Sequence, residues 1–321
     1  MWVITLSMFI FILGVIIIVY SSDIAVKHSA TLAAQLGVSN LVIGVTLVAI
    51  GTDISEIFNS IISSSMGHAD IDVGDSIGSS LAQITLVFGL LPIICGSFKV
   101  RRQEFIVLGA CQIIALFVVY AIISKGYFTR LDAIFIVGSL VLYLIIIYNV
   151  TKDSIIERID LVITKTDKSK KYHATFAALG FLGVAISSYM IVISVITISM
   201  ELGVHEFIIS FIFLSVATSL PELAVDITAL RRKHYNMAIG DIIGSCIIDS
   251  TLSIGIGQIF FPQAVSAELA MPAILYTMFA SFIVIALVCW RQKVDKKAGA
   301  VFLALYAMSF VVLFSVWATI Y

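Results

Sequence analysis

Residues 217–222 read Ala217-Thr218-Ser219-Leu220-Pro221-Glu222, and residues 51–56 read Gly51-Thr52-Asp53-Ile54-Ser55-Glu56. Each block places hydroxyl side chains and a glutamate inside a strongly apolar run, with helix-weakening residues just before the acid. Pro221 removes a backbone donor and obstructs the preceding turn, which leaves carbonyl oxygens free within the helix. The blocks are 166 residues apart, and the same shift matches more of the chain. Without a gap it sets His68 on His234, Gly74-Asp75 on Gly240-Asp241 and Gly78-Ser79 on Gly244-Ser245. It also sets Thr85-Leu86 on Thr251-Leu252 and Gly89 on Gly255. Coincidence among Ile and Leu would mean little in such a chain. Coincidence at Glu, Asp, Gly and Thr inside apolar segments marks an internal repeat.

Around these blocks the composition is that of a membrane protein. Of 321 residues, 60% are hydrophobic and 12% charged, against about 45–50% and about 25% in soluble domains. Mean hydropathy is +1.12. These values exclude a soluble enzyme, a disulfide scaffold and a disordered tail, and the net charge of −1 gives no sign of a nucleic-acid partner. Cys95, Cys111, Cys246 and Cys289 stand singly, without metal or redox spacing, and read as small core residues. Apolar windows predict an all-α polytopic protein with ten transmembrane helices, roughly 2–20, 40–64, 71–97, 104–124, 131–150, 174–200, 207–230, 237–261, 269–290 and 298–320. The first lacks a basic flank and a small-residue cleavage site, so it reads as a retained helix.

With the N-terminus outside, every Lys and Arg except Lys125 and Arg130 falls in an inside loop, which places both termini outside. The basic stretch 151–173 reads as a cytoplasmic linker, too short for a folded domain, between five-helix halves at 1–150 and 174–321. The repeated segments lie at about 43–95 and about 209–261. Because five is odd, the second half enters the membrane inverted. Inverted repeats put a substrate site at the bilayer midplane, where interrupted helices meet.

Seven acids fall within the predicted spans and clear of their ends: Asp53, Glu56, Asp75, Glu222, Asp226, Asp241 and Asp249. Each ionised acid at a helix centre costs about 2.5–3.5 kcal/mol, and no Lys or Arg lies at comparable depth to offset it. Cations, protons or cavity water must compensate. Unwound carbonyls, the hydroxyls of Thr52, Thr218 and Ser219, and carboxylates make an all-oxygen shell, which suits Ca²⁺ and other hard cations. Softer metals would want His or Cys. Ser79 and Gln83 share a helix face at i, i+4, as do Ser245 and Asp249. Asp75 and Asp241, read as lying early in their helices, are expected to cap free amides rather than ligate. Asp226 is expected to face water, with an access-path carboxylate as the other reading. His68 and His234 read as interfacial.

These blocks resemble the α-repeats of the cation/calcium exchanger superfamily, in particular of prokaryotic sodium/calcium exchangers. The family pattern is roughly G-T-S-x-P-E, then G-N-x-x-G-S-N-x-x-(N/D), once per half. The resemblance implies an antiporter rather than an enzyme, exchanging Na⁺ for Ca²⁺ in a prokaryotic plasma membrane, with inorganic cations and lipid as its partners. It implies no cofactor and no protein partner. By position, it makes Glu56 and Glu222 the central carboxylates, has Thr52 and Thr218 contribute backbone carbonyls, and has Ser79 and Ser245 serve flanking sodium sites. Gln83 and Asp249 complete the middle.

The departures are specific. Asp53 stands at the motif serine, Ser55 at the proline and Ala217 at a glycine. Asp75 and Asp241 stand at asparagines, and Ser80 and Cys246 at the Asn of G-S-N. Asp53 brings a fourth acid beside Glu56, Glu222 and Asp249, so either one acid holds a proton or the pocket takes a different cation load. Proton-coupled or potassium-dependent Ca²⁺ exchange is therefore the alternative within transport. A remote one is an intramembrane aspartyl protease, whose Gly-x-Gly-Asp signature lacks its first Gly at both Asp72 and Ala238.

Overall fold

The computed structural model describes residues 2–36, 51–150 and 168–320. The start of the expected span 40–64 and most of the linker 151–173 lie outside the described residues. The helices are α1 (Trp2–Gln35), α2 (Ile54–Ser65), α3 (Ala69–Ile94), α4 (Arg102–Ile123), α5 (Arg130–Val150), α6 (Lys170–Leu202), α7 (Glu206–Arg231), α8 (Tyr235–Phe260), α9 (Ala267–Arg291) and α10 (Lys296–Ile320). Among the described residues eight of them, all but α2 and α5, are by length and composition able to cross a membrane. Phe9, Phe117, Phe135, Phe282 and Val311 are exposed large apolar side chains, the surface expected against lipid.

Two helices outrun their expected spans. α1 has 34 residues and α6 has 33, and 34 residues of helix measure about 51 Å. Asp23 and Lys27 do not end α1, because a charge is not a helix stop without Gly or Pro. The opposite face, Ser22, Ala25, Ala30 and Thr31, stays buried, and α1 makes most of its contacts with α6. Other helices carry local faults. Ala82–Val87 in α3, Ser210–Leu214 in α7 and Asp249–Ser253 in α8 are π-helical turns, a distortion found mostly at functional sites.

The halves of the chain answer each other in detail. Ser80 Oγ donates to the Cys246 carbonyl at 3.1 Å, and Cys246 Sγ donates to the Ser80 carbonyl at 3.4 Å. These residues are 166 apart, and a pair that exchanges contacts in both directions is what a two-fold axis produces. The same exchange recurs further out. Gly14 packs on Ile191 where Gly180 packs on Ala25, and Gly89 packs on Gly299 where Gly255 packs on Ala133 and Val137. Four two-residue strands, β1 (Phe98–Lys99), β2 (Tyr127–Phe128), β3 (Gln263–Ala264) and β4 (Lys293–Val294), pair antiparallel as β1 with β4 and β2 with β3. Exchanging the halves turns one ribbon into the other. Even backbone demands survive sequence change: left-handed Gly67 and Gly126 correspond to Lys233 at φ 67° and Gln292 at φ 49°. Ser80 and Cys246 sit on α3 and α8, the most enclosed of the candidate spans.

Candidate cation centre

The broken helix expected around Pro221 is present. In α7 a turn at Ser219 separates Ser215–Thr218 from Leu220–Arg231, with Pro221 in the first turn of the second piece. Ser219 has φ −81° and ψ 1°, and Asp53, its counterpart just before α2, has φ −83° and ψ 15°. Both occupy the sparsely populated bridge region. Glu56 lies in the first turn of α2 and Glu222 in the first turn of the second piece of α7, so the two carboxylates take the same relative position.

One flank is built from α2, α3 and α7. Asp75 Oδ1 accepts from Thr218 Oγ1 at 3.1 Å and from Ser79 Oγ at 3.5 Å, and its Oδ2 accepts from Asn59 Nδ2 at 3.1 Å. Ser79 Oγ also lies 3.2 Å from Thr218 Oγ1 and 3.5 Å from the Ser215 carbonyl. The helices approach this closely because α3 presents glycine. A Cβ on Gly74 would stand 2.6 Å from the Phe207 carbonyl, and one on Gly78 2.5 Å from that of Phe211. The capping role expected of Asp75 and Asp241 is not what the structure shows. α3 begins at Ala69 and α8 at Tyr235, which puts both acids a full turn or more beyond the free amides of the helix start. Asp75 spends its oxygens on neighbouring helices instead.

The other flank repeats this with a change. Ser245 Oγ donates to Asp53 Oδ2 at 3.4 Å, and Thr52 Oγ1 donates to the same oxygen at 3.2 Å. Asp53 is thus drawn to the Ser245 side, a role its counterpart Ser219 does not fill. Ser219 Oγ is buried and receives no hydrogen bond among the described residues.

Between the flanks lie the remaining acids. Glu56 Oε2 accepts from Ser55 Oγ at 2.7 Å. Both oxygens of Glu222, both of Asp249, and Gln83 Oε1 are buried without a hydrogen-bond partner among the described residues. The fields of Glu56, Asp53 and Asp241 reach Glu222, and those of Asp53, Glu56 and Asp75 reach Asp249. Eight carboxylates (Asp53, Glu56, Asp72, Asp75, Glu222, Asp226, Asp241 and Asp249) are each at most 2% exposed, and among the described residues no Lys or Arg is buried with them. A buried ion left uncompensated costs several kcal/mol.

The donor chemistry is oxygen throughout: carboxylates, hydroxyls, a carboxamide and backbone carbonyls such as that of Ser215, which also accepts the Ser219 amide at 3.1 Å. That fits hard cations. Among the described residues no three His, Cys, Asp or Glu side chains converge closely enough to hold a metal ion by themselves. Neutral oxygens from Ser79, Gln83, Thr218 and Ser245 must therefore share in any shell. The structure brings Thr52, Asp53 and Ser245 into contact, joins Ser79 and Thr218 through Asp75, and sets Glu222 and Asp249 each within electrostatic reach of Glu56 and Asp53.

Sequence reasoning missed Asn59, which lies i+3 from Glu56 on the same face, and the direct part played by Asp75. The signal for the latter was its i, i+4 spacing to Ser79. Asp226, expected to face water, is 0% exposed. His68 lies at a helix end as expected, its Nδ1 2.6 Å from Glu206 Oε2.

Comparison with known proteins extends the similarity over the whole chain. The profile of the family described as sodium/calcium exchanger protein matches residues 6–151 and 172–315. An uncharacterized membrane protein of Methanocaldococcus jannaschii is 30% identical over 304 residues, covering 93% of this chain and 95% of that protein. The inner membrane protein YrbG of Escherichia coli is 27% identical over 297 residues, 90% of each chain. Among solved structures, the sodium-calcium exchanger NCX_Mj, soaked with Na⁺ and Sr²⁺, superposes with a TM-score of 0.60 at 27% identity, covering 96% of this chain and 99% of that one.

Proposed function

Because the chain belongs to the sodium/calcium exchanger protein family, a family of multi-pass membrane transporters, we propose that it expels Ca²⁺ in exchange for Na⁺ by alternating access. The observation that carries this reading is the set of four oxygens on Glu222 and Asp249, buried and without hydrogen-bond partners among the described residues, in the field of Glu56 and Asp53. A cluster of this charge resists passage through a closed, low-dielectric state. One Ca²⁺ or several Na⁺ would neutralise most of it. The two loads share the carboxylates, so they exclude each other, and exchange follows in place of leak.

In this reading Glu56 and Glu222 bridge the loads. Asp75, Ser79 and Thr218 serve one sodium position, Thr52, Asp53 and Ser245 the opposite one, and Gln83, Ser219 and Asp249 the middle. The exchanged contacts of Ser80 with Cys246 and of β1·β4 with β2·β3 support two inverted five-helix halves. They are also what ten spans with both termini outside would require. α1 and α6, which make most of their contacts with each other, are the pair best placed to slide against the rest.

The test is ⁴⁵Ca²⁺ uptake into proteoliposomes under separately imposed Na⁺, K⁺ and pH gradients. Uptake should follow an outward Na⁺ gradient and ignore the other two. Uptake that follows a pH gradient and ignores Na⁺ would overturn the ion assignment. The second reading, proton- or potassium-coupled Ca²⁺ exchange, is favoured by one observation: Asp53 adds an acid between Thr52 and Ser245. The same assay separates the two.

A further inference from the structure

Beside the central cluster lies a second polar site that the repeat does not reproduce. Asp72 stands three residues before Asp75 on α3, about 4.5 Å along the axis, and is 1% exposed. Its Oδ2 accepts from Gln258 Nε2 of α8 at 3.2 Å, and the same nitrogen donates to Ser64 Oγ of α2 at 3.0 Å. The hydroxyls of Ser60 and Ser76 also lie close to Asp72. Ser60 Oγ further accepts the Gly257 amide at 3.1 Å, at a point where a Cβ on Gly257 would lie 2.8 Å from that oxygen.

Three helices are thus drawn tightly around one carboxylate. Two oxygens within this knot, Asp72 Oδ1 and Gln258 Oε1, are buried and have no hydrogen-bond partner among the described residues. The counterparts of Asp72, Gln258 and Ser64 in the other half are Ala238, Pro92 and Leu230. The site therefore exists on one side of the two-fold only, and the exchange cycle above uses none of these residues.

We propose that Asp72, with the Gln258 carboxamide and the hydroxyls of Ser60, Ser64 and Ser76, binds one Na⁺ a helical turn away from the central cluster. The charge selects the ion. One carboxylate among neutral oxygens is cancelled by a monovalent cation, whereas Ca²⁺ would leave a net positive charge in a medium where isolated charge is expensive. Gln258 fixes one oxygen of Asp72 and leaves the other for the ion. Beyond it, polar groups continue toward the end of the bundle that carries the β2·β3 ribbon: Gln263 Nε2 donates to the Ser64 carbonyl, and Asp70 Oδ1 accepts the Ser266 amide at 2.7 Å. An ion at Asp72 lies between that end and Asp75, where it is staged for the cluster. This last role rests on the exchanger reading; the binding itself does not.

Equilibrium ²²Na⁺ binding to the purified full-length chain tests it without transport. The double variant Glu56→Gln/Glu222→Gln takes away the acids that bridge the central loads, and adding Asp72→Asn to it should weaken one of the saturable Na⁺ sites that remain at least about tenfold, as expected when a site loses its charged ligand. Asp72→Glu in the same background should keep it. Gln258→Glu, which adds a second carboxylate, should turn the site toward Ca²⁺, so that Ca²⁺ displaces ²²Na⁺ there. Size-exclusion profiles establish that each variant is folded. Should Asp72→Asn fail to fold, the Gln258→Glu displacement decides alone. Sodium binding unchanged by Asp72→Asn, a site that takes Ca²⁺ in the wild type, or a loss seen only as a shift in pH dependence would each overturn the proposal. Absence of Na⁺-driven ⁴⁵Ca²⁺ uptake by the wild type would overturn the exchanger reading and leave Na⁺ at Asp72 standing.

Discussion

Glu222→Gln is expected to abolish Ca²⁺ exchange, as is Glu56→Gln, while neither variant is expected to be less thermostable than the wild type in ion-free buffer. The two effects separate because, under the proposed function, the glutamates serve the ion and not the fold. Both oxygens of Glu222 are buried without hydrogen-bond partners among the described residues and face like charges from Glu56, Asp53 and Asp241. Replacing the acid with a neutral amide removes an uncompensated buried charge, so the ion-free protein loses nothing and gains where repulsion is relieved. The ion-loaded protein loses a charged ligand. Breaking a buried ionic contact costs about 3–5 kcal/mol, which is roughly 10²–10³-fold in Ca²⁺ affinity.

Thermal unfolding with and without Ca²⁺ measures both effects. At about 100 times its Kd, Ca²⁺ should stabilise the wild type by about 2.7 kcal/mol, and the variants should show none of this at the same concentration. A variant that is destabilised without ions and still stabilised by Ca²⁺ would make these glutamates structural.

Gly78→Val is expected to impair exchange without removing a ligand. A Cβ at Gly78 would lie 2.5 Å from the Phe211 carbonyl and 2.8 Å from Ser215 Cβ. The nearest atom is backbone, so α3 must move away from α7. That movement opens the Thr218–Asp75 contact at 3.1 Å and the Ser79–Thr218 contact at 3.2 Å. Overpacking costs about 1–3 kcal/mol, and each hydrogen bond lost adds about 1 kcal/mol. The expected result is a Na⁺ half-saturation raised at least about tenfold in the transport assay, with Ca²⁺ binding affected less, because the strained flank is assigned to sodium. Gly138→Ala is the control, since nothing among the described residues lies within 4 Å of the added carbon. Equal losses from both substitutions would remove the argument from close approach.

Much of this architecture was legible in the sequence because a membrane makes polar residues conspicuous. Glu56, Glu222 and Asp249 stood out as acids in apolar helices, and Pro221 marked the break that brings Glu222 into place. What escaped depended on helix phase and distance. Whether Asp75 caps or reaches outward turns on where α3 starts; the expected start at 71 leaves Asp75 in the first turn or so, and the observed start at Ala69 carries it past the free amides. The expected first span stops near residue 20, because hydropathy cannot show that the buried face of Ser22, Ala25 and Thr31 continues the helix past it. Asp72 has no repeated counterpart, and its partner Gln258 is 186 residues away. No periodicity could have joined them. Asp226 shows a further limit: its i, i+4 spacing to Glu222 was evident, but its burial was not.

Whether acids from both halves grip the same ion is decided by anomalous diffraction from crystals of the full chain soaked in Sr²⁺ at low Na⁺. The expected map has a peak in contact with carboxylate oxygens of both Glu56 and Glu222, at about 2.3–2.6 Å as for oxygen-bound Ca²⁺ or slightly longer, and the peak fades as Na⁺ is raised. A peak held by one half alone, or one indifferent to Na⁺, would mean that the halves do not share a cation pocket.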